Sequence, residues 1–418
     1  MTELNRRLFL GGTLATAALL TRAQGNAPAR PASEGTETVP FPQRQYERKL
    51  RVGLIGGGHR GNVVADEMLH HGGYEIASVC DYFPVVAAEM GKKFKVPASR
   101  QFTGLNGCKR MIEAGGIDIL AVLDIPYFYP DQIKEGVAAG LHIYVAKPIA
   151  VDVPGTLAIG KLGKAATQKG LCVRVDYQLP EDPANVEVVA RMKQGALGKL
   201  SYLMTTGKVG LFEDPPFAGD NIACRFRDQI WLSDIALGGD IAVSFDIHIV
   251  DGIWVAMGGK MPVRAMGKSN IRRAAHGDRI DGSGIIFEFD DGTFWLHQTQ
   301  CLKNNADFPE LVGTFYGTEA SSRICYWGKS YVRGGENNYF VKEVSNTIYR
   351  DGIIRNVIAF YDDIVNKRVG NETVDRAVQG NLICILGRDA AERGKPLTLD
   401  ELLRENRERT ISLKGLTV

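Results

Sequence analysis

The chain has 418 residues, 44% hydrophobic and 23% charged, with 50 basic against 48 acidic side chains. That length calls for two domains plus tails, and the composition is that of a globular protein with a large core. A net charge of +2, without a basic stripe interleaved with aromatics, argues against a nucleic-acid partner. The seven cysteines lack C-x-x-C spacing. Their odd number rules out complete internal pairing, and thiols in apolar runs serve as small hydrophobes.

In chain order, Asn5-Arg6-Arg7 directly precedes a Gly/Ala/Thr-rich apolar run from Leu8 to Thr21, with small residues around Ala23 to Ala27. The run is too short to span a bilayer comfortably, so no stable membrane anchor is expected. Residues 1–28 read as a signal peptide whose arginine pair resembles the twin-arginine export signal. The expectation is an exported, periplasmic or extracytoplasmic protein that crosses the membrane folded. Residues 29–48 read as an extended arm, either a linker or a wrap around a partner subunit.

The apolar strand Leu50–Ile55 runs into Gly56-Gly57-Gly58-His59-Arg60-Gly61, and Asn62–His70 continues with helical character. Alone, G-x-G-x-x-G is a weak signal. Here a second strand, Tyr74–Cys80, ends in Asp81, where an acid for the adenosine ribose belongs, about 20 residues on. The glycines let the backbone approach a pyrophosphate whose charge meets the helix N-terminus. Asp81 would repel a 2′-phosphate, which favours NAD and makes NADP the lesser candidate. The βα alternation continues with strands at Ile117–Leu123, His142–Val145 and Leu171–Val175 and helices at Asp131–Ala139 and Pro154–Lys169. That pattern predicts a doubly wound parallel sheet over residues 49–175, with Ile125, Pro126 and Lys147 in ligand-facing loops. Gly284–Phe289 and Thr293–Cys301 flank an Asp-Gly turn and predict a hairpin. Thr398 and Glu401 fit a capping box. The second domain, residues 176–418, is expected to be α+β with a large, mainly antiparallel open sheet.

These motifs, with Val145-Ala146-Lys147-Pro148 and Gly238-Gly239-Asp240 followed by His248 and Asp251, resemble the glucose–fructose oxidoreductase / inositol dehydrogenase (Gfo/Idh/MocA) family. The likeness runs from about Arg51 to Glu405. It implies a Rossmann domain that holds NAD through Gly56, Gly58, His59, Arg60, Gly61 and Asp81. It also implies an interdomain cleft for a carbohydrate or polyol, and a homo-oligomer, dimer or tetramer, built on the open sheet. Lys147 matches the family lysine, although Ala146 replaces the usual glutamate. His248 matches the family histidine, a proton acceptor in the useful range. Ser244 stands where the family carries an acid. Helical spacing puts Ser244, His248 and Asp251 on one face, with Asp246 opposite. On this basis Asp251 would orient His248, unless it is the family's structural acid there. Tyr177, Asp246, Trp231 and Arg227 are candidate substrate contacts, with Arg225 beside them. Tyr127, Phe128 and Tyr129 either stack on a sugar or pack the domain. Asp246 and His248 with His276 or His297 make only a weak metal signal, and no metal is assigned.

The implied reaction is hydride transfer between a sugar, polyol or related cyclic alcohol and a tightly held NAD. The lost acid at Ser244 keeps two alternatives open: a glycoside hydrolase that oxidises its substrate only transiently, and a non-catalytic sensor or partner subunit.

Overall fold

The computed structural model describes residues 39–42, 45–46, 48–210, 222–227, 230–274, 277–302, 310–334 and 339–418. The expected signal peptide and most of the arm lie outside these residues. The first domain carries β1 (Leu50–Ile55), α1 (His59–His71), β2 (Tyr74–Asp81), α2 (Pro84–Phe94), β3 (Gln101–Thr103) and α3 (Gly107–Glu113). It continues with β4 (Ile119–Val122), α4 (Tyr129–Ala138), β5 (His142–Ala146), α5 (Val153–Gln168) and β6 (Val173–Asp176). The six strands are parallel, in the order β3-β2-β1-β4-β5-β6. The sequence reading missed β3, which has three residues and no fully buried position. Elsewhere helices cover both faces, so β4 reads as an unbroken apolar run.

The second domain follows with α6 (Pro183–Lys193), β7 (Leu200–Gly210), α7 (Ile241–Ser244), α8 (Ile247–Ala256), β8 (Arg264–Ala274), β9 (Gly277–Glu288) and β10 (Phe294–Leu302). It ends with β11 (Glu310–Gly317), β12 (Ser321–Cys325), β13 (Lys329–Arg333), β14 (Tyr339–Glu343), α9 (Ile348–Val365), α10 (Glu372–Arg393), β15 (Leu397–Thr398) and α11 (Leu399–Glu405). Nine strands form one sheet, antiparallel except that β7 and β10 run parallel. The β9–β10 hairpin forms as the Asp-Gly signal predicts, with Asp291 Oδ1 accepting from Thr293 N–H at 3.0 Å. The capping box also forms: Glu401 N–H donates to Thr398 Oγ1 at 3.1 Å, and Thr398 N–H to Glu401 Oε2 at 2.9 Å.

The helix on which Ser244, His248 and Asp251 were to share a face is broken. α7 stops at Ser244 and α8 begins at Ile247, with Phe245 and Asp246 between them. The cause is packing. Asp246 turns into the sheet, where Thr299 Oγ1 and His297 Nε2 (2.9 Å) both reach Oδ2. A Cβ at position 207 would stand 1.8 Å from Asp246 Oδ1, so Gly207 on β7 makes the room.

The domains share a core. One apolar cluster joins Val122, Val145 and Val175 of the first sheet to Ile249, Trp295 and Leu386 of the second domain. α9 returns to the first domain, where Ile353, Val357 and Phe360 complete the cluster around Leu54, Val64 and Tyr74. No helix among the described residues is long and apolar enough to cross a membrane.

Candidate active site

The glycine turn is built as dinucleotide chemistry requires. Gly56 has φ +94°, and a Cβ there would meet the Leu123 carbonyl at 2.7 Å. A Cβ on Gly61 would stand 1.9 Å from Gly56 O, which is how closely α1 approaches β1. Gly58 has nothing within 4 Å and opens α1 without a side-chain cap. First-turn N–H groups are thereby left for an anion. Asp81 accepts from Gly57 N–H and Phe83 N–H, each at 2.9 Å, and burial raises its pKa. Its carboxylate is held at the strand end where a ribose diol would lie.

From this turn a cleft of about 1620 Å³ runs between the domains. Of the residues expected from sequence, Gly56, Gly58, His59, Arg60, Asp81, Ile125, Lys147, Arg227, Trp231, Ser244 and His248 line it. These fit an NAD: an open glycine turn, an acid at the end of β2, and Lys147 with His248 at the far end. Bound there, NAD would supply a hydride acceptor.

Lys147, after β5, donates from Nζ to the Ser244 main-chain carbonyl at 3.0 Å. Burial first, then nearby Arg60, pushes its pKa down to about 7, against the pull of Asp176. The Ser244 hydroxyl is engaged elsewhere, donating to Leu232 O at 2.7 Å. Ser244 thus serves the site through its backbone, and the acid missing from its side chain is not replaced at that position. His248 is buried, and Nδ1 has no hydrogen-bond partner among the described residues. Burial, then Lys147, then Arg60 hold its imidazole well below the ordinary histidine value. At neutral pH it is an uncharged ring with a free lone pair. Arg60 pairs with Asp176 at the end of β6 and lies over the Tyr349 ring at 4.7 Å.

Several expectations need correcting. Asp251 does not orient His248; its Oδ1 lies 2.9 Å from Arg376 Nε, an ion pair beneath the cleft, and burial raises its pKa to about 7. Tyr177 is fully buried, with Arg376 over its ring at 5.1 Å, and does not reach the cleft. Asp246 faces the sheet rather than a substrate. Its neighbour His297 is held by Thr205 Oγ1 (2.6 Å) on the far side, so the two form a hydrogen-bonded network and His248 stays apart from it. His276 lies outside the described residues. Pro126 is buried at the start of a single 3-10 turn, Pro126–Phe128, and does not line the cleft. Gly61 acts through packing alone. Arg227 lies over Phe83 at 5.6 Å, at the adenosine end rather than beside Lys147. Arg225 pairs with Asp234. Phe128 packs on Phe226 with ring centres 5.6 Å apart, Tyr129 Oη donates to Asp124 O at 3.1 Å, and both also line the cleft, which Tyr127 does not.

The structure adds residues the sequence did not single out for the site. Tyr326 and Trp327 follow β12, and the Tyr326 ring lies 5.3 Å from that of His248. Tyr349 comes from α9 and stacks on His59 at 5.8 Å. Asp124 lines the cleft beside Gln132, which donates to it at 2.7 Å, and burial lifts its pKa to about 7. Only Asp124, at a strand end, carried a local signal.

This arrangement defines an NAD-binding Rossmann domain joined to a sheet domain. Residues 50–177 match the model of the Gfo/Idh/MocA oxidoreductase family, NAD-binding Rossmann fold. That match spans the first domain and stops where the sheet domain begins. A curated α-N-acetylgalactosaminidase of Shewanella oneidensis is 26% identical over 214 residues, 48% of this chain and 45% of that protein. A myo-inositol dehydrogenase of Streptomyces leeuwenhoekii is 27% identical over 154 residues, 37% of this chain and 44% of that protein. The chain therefore matches less than half the length of these curated relatives. The fold as a whole is shared with a protein of gentamicin A biosynthesis solved with NAD: TM-score 0.68 and 18% identity, over 87% of this chain and 99% of that one.

Proposed function

We propose that the whole chain is an NAD-dependent oxidoreductase of the Gfo/Idh/MocA family acting on a ring hydroxyl of a sugar, polyol or related cyclic alcohol. One observation carries this reading: half-buried Lys147 and buried His248, both depressed in basicity, converge on the cleft that begins at the glycine turn. Lys147, anchored on the Ser244 carbonyl, would position the substrate hydroxyl. With its lowered pKa it can accept or donate that proton near neutrality. His248, on the wall of the same pocket, is the second proton acceptor, and its neutral ring adds no charge to repel Lys147. Tyr326, Trp327 and Phe245 wall the pocket with apolar surface and exclude water.

A second reading is favoured by the likeness to an α-N-acetylgalactosaminidase. In it the same residues serve a transient oxidation, followed by elimination of the aglycone, addition of water and reduction. One experiment separates the two. The purified protein, loaded with NAD, is offered a panel of sugars, inositols and aryl glycosides. Accumulating NADH without cleavage supports the dehydrogenase; aglycone release without net NADH supports the hydrolase. Neither result, over the whole panel, overturns both. We further propose twin-arginine export through residues 1–28, tested by fusing them to a folded reporter and changing Arg6 and Arg7 to Lys.

A further inference from the structure

Beyond α11 the chain runs on without regular structure for residues 406–418, yet it is not loose. It leaves the second domain and crosses the carboxyl edge of the first domain's sheet. At its root the Arg409 main-chain N–H donates to Asp152 Oδ2 at 2.8 Å, and Arg409 Nη2 donates to Glu392 Oε2 at 2.7 Å and Asp389 Oδ1 at 3.2 Å. Further along, Ile411 and Leu416 pack into an apolar cluster centred on Ile125, Phe226 and Leu237. That cluster itself joins the two domains. At the far end Leu105 N–H donates to Thr417 O at 3.0 Å, and Thr417 N–H donates to Tyr82 Oη at 3.2 Å.

The far anchors matter because of where they stand. Tyr82 directly follows Asp81, the acid placed for the adenosine ribose. Gly104 sits at φ +75°, and a Cβ there would lie 3.1 Å from Thr417 O, so the segment rests against that loop. Leu413 and Val418 are the two residues of the segment that line the cleft. They leave apolar surface open toward it, at 37% and 64% exposure. A Rossmann domain alone leaves the outer face of its adenosine pocket to solvent. Here that side carries a roof of apolar side chains, fastened to both domains.

We propose that residues 406–418 form a strap over the adenosine half of the dinucleotide cleft, so that bound NAD leaves only when the strap undocks. The inference rests on the NAD-binding reading and sharpens it: the cofactor is retained between turnovers rather than exchanged. The strap is held by a few hydrogen bonds and by a modest apolar contact. It can therefore open as a unit on the slow timescale of a lid.

The test compares the full chain with a variant lacking residues 407–418 and with Arg409→Ala, which loosens the root without touching the cleft. Each protein is loaded with NADH, and release into a large excess of NAD is followed by NADH fluorescence. Release is expected to rise about tenfold or more on truncation, the scale of a lost lid, and by a smaller factor in Arg409→Ala. Affinity for nicotinamide mononucleotide, which lacks the adenosine, should be the same in all three. Equal NADH release from all three proteins would overturn the strap. So would tighter NADH binding after truncation, which would make the segment a competitor for the site. If the full chain and both variants fail to hold NADH while remaining folded, it is the NAD-binding reading that fails instead.

Discussion

The two faces of the broken helix α7–α8 offer a comparison. Toward the cleft stands His248 and toward the sheet the network reached by Asp246, which contains His297; both imidazoles are buried, at 6% and 5% exposure. His297 is engaged at both ring nitrogens, by Thr205 Oγ1 and Asp246 Oδ2. His248 leaves Nδ1 unengaged and faces an open cavity. Burial is thus no guide to which histidine does chemistry. Setting is: His297 is tied at both nitrogens inside the sheet domain, whereas His248 stands on the wall of the cleft beside Lys147.

The largest effect that would sharpen this contrast is at Lys147. Lys147→Met should lower turnover by a factor of about 10³, with NAD still bound, as steady-state rates and cofactor stoichiometry would show. Full activity in this variant would remove the basis for placing chemistry on the cleft face. His248→Ala should cost about 10²-fold in rate with little change in thermal stability. His297→Ala should do the reverse, destabilising the protein by about 2–3 kcal/mol through the unpaired groups it leaves, as denaturant unfolding would measure. Were the two variants to exchange phenotypes, the assignment of the faces would be wrong.

A second comparison lies within the glycine turn. Gly58→Ala meets open space in the protein and should keep its stability while losing dinucleotide affinity. Gly61→Ala drives a methyl into the Gly56 carbonyl and should lower stability first. Calorimetry with and without NAD distinguishes them. The smallest effect is the pH dependence of stability. Lys147 has a folded pKa of about 7, below the ordinary 10.5. Between these values the unfolded chain binds the extra proton, so stability rises with pH across the window and the penalty is fully present below about 7. Lys147→Met should therefore exceed the natural protein in stability at pH 6, by up to a few kcal/mol, and the gap should close toward pH 10. In the natural protein, the proposed turnover should fall on the acid side of about pH 7 as Lys147 becomes protonated.

The fold was largely legible because its signals are local. The strand–glycine–helix passage at Leu50–Asn62, the terminal Asp81 and the Asp-Gly hairpin each declare themselves within a few residues. β3 was missed because three half-buried residues carry no periodicity. The break at Phe245–Asp246 was invisible because its cause is Gly207, on another strand. The site divides the same way. Lys147 and His248 stand in motifs, whereas Tyr326, Tyr349 and the strap enter the cleft from distant parts of the chain. Asp251 and Tyr177 misled because helical spacing gives direction but not partners, and both turned out to serve Arg376.

The return of α9 has a consequence for how the molecule can be taken apart. Ile353, Val357 and Phe360 fill the layer over Leu54 and Tyr74, and Tyr74 Oη donates to Val357 O at 2.7 Å. A fragment cut at residue 175 would keep every residue of the nucleotide motif and lose the lid of its own core. The halves are consecutive in sequence but not modular, and a chimera that swaps substrate domains must carry a matching α9 with it.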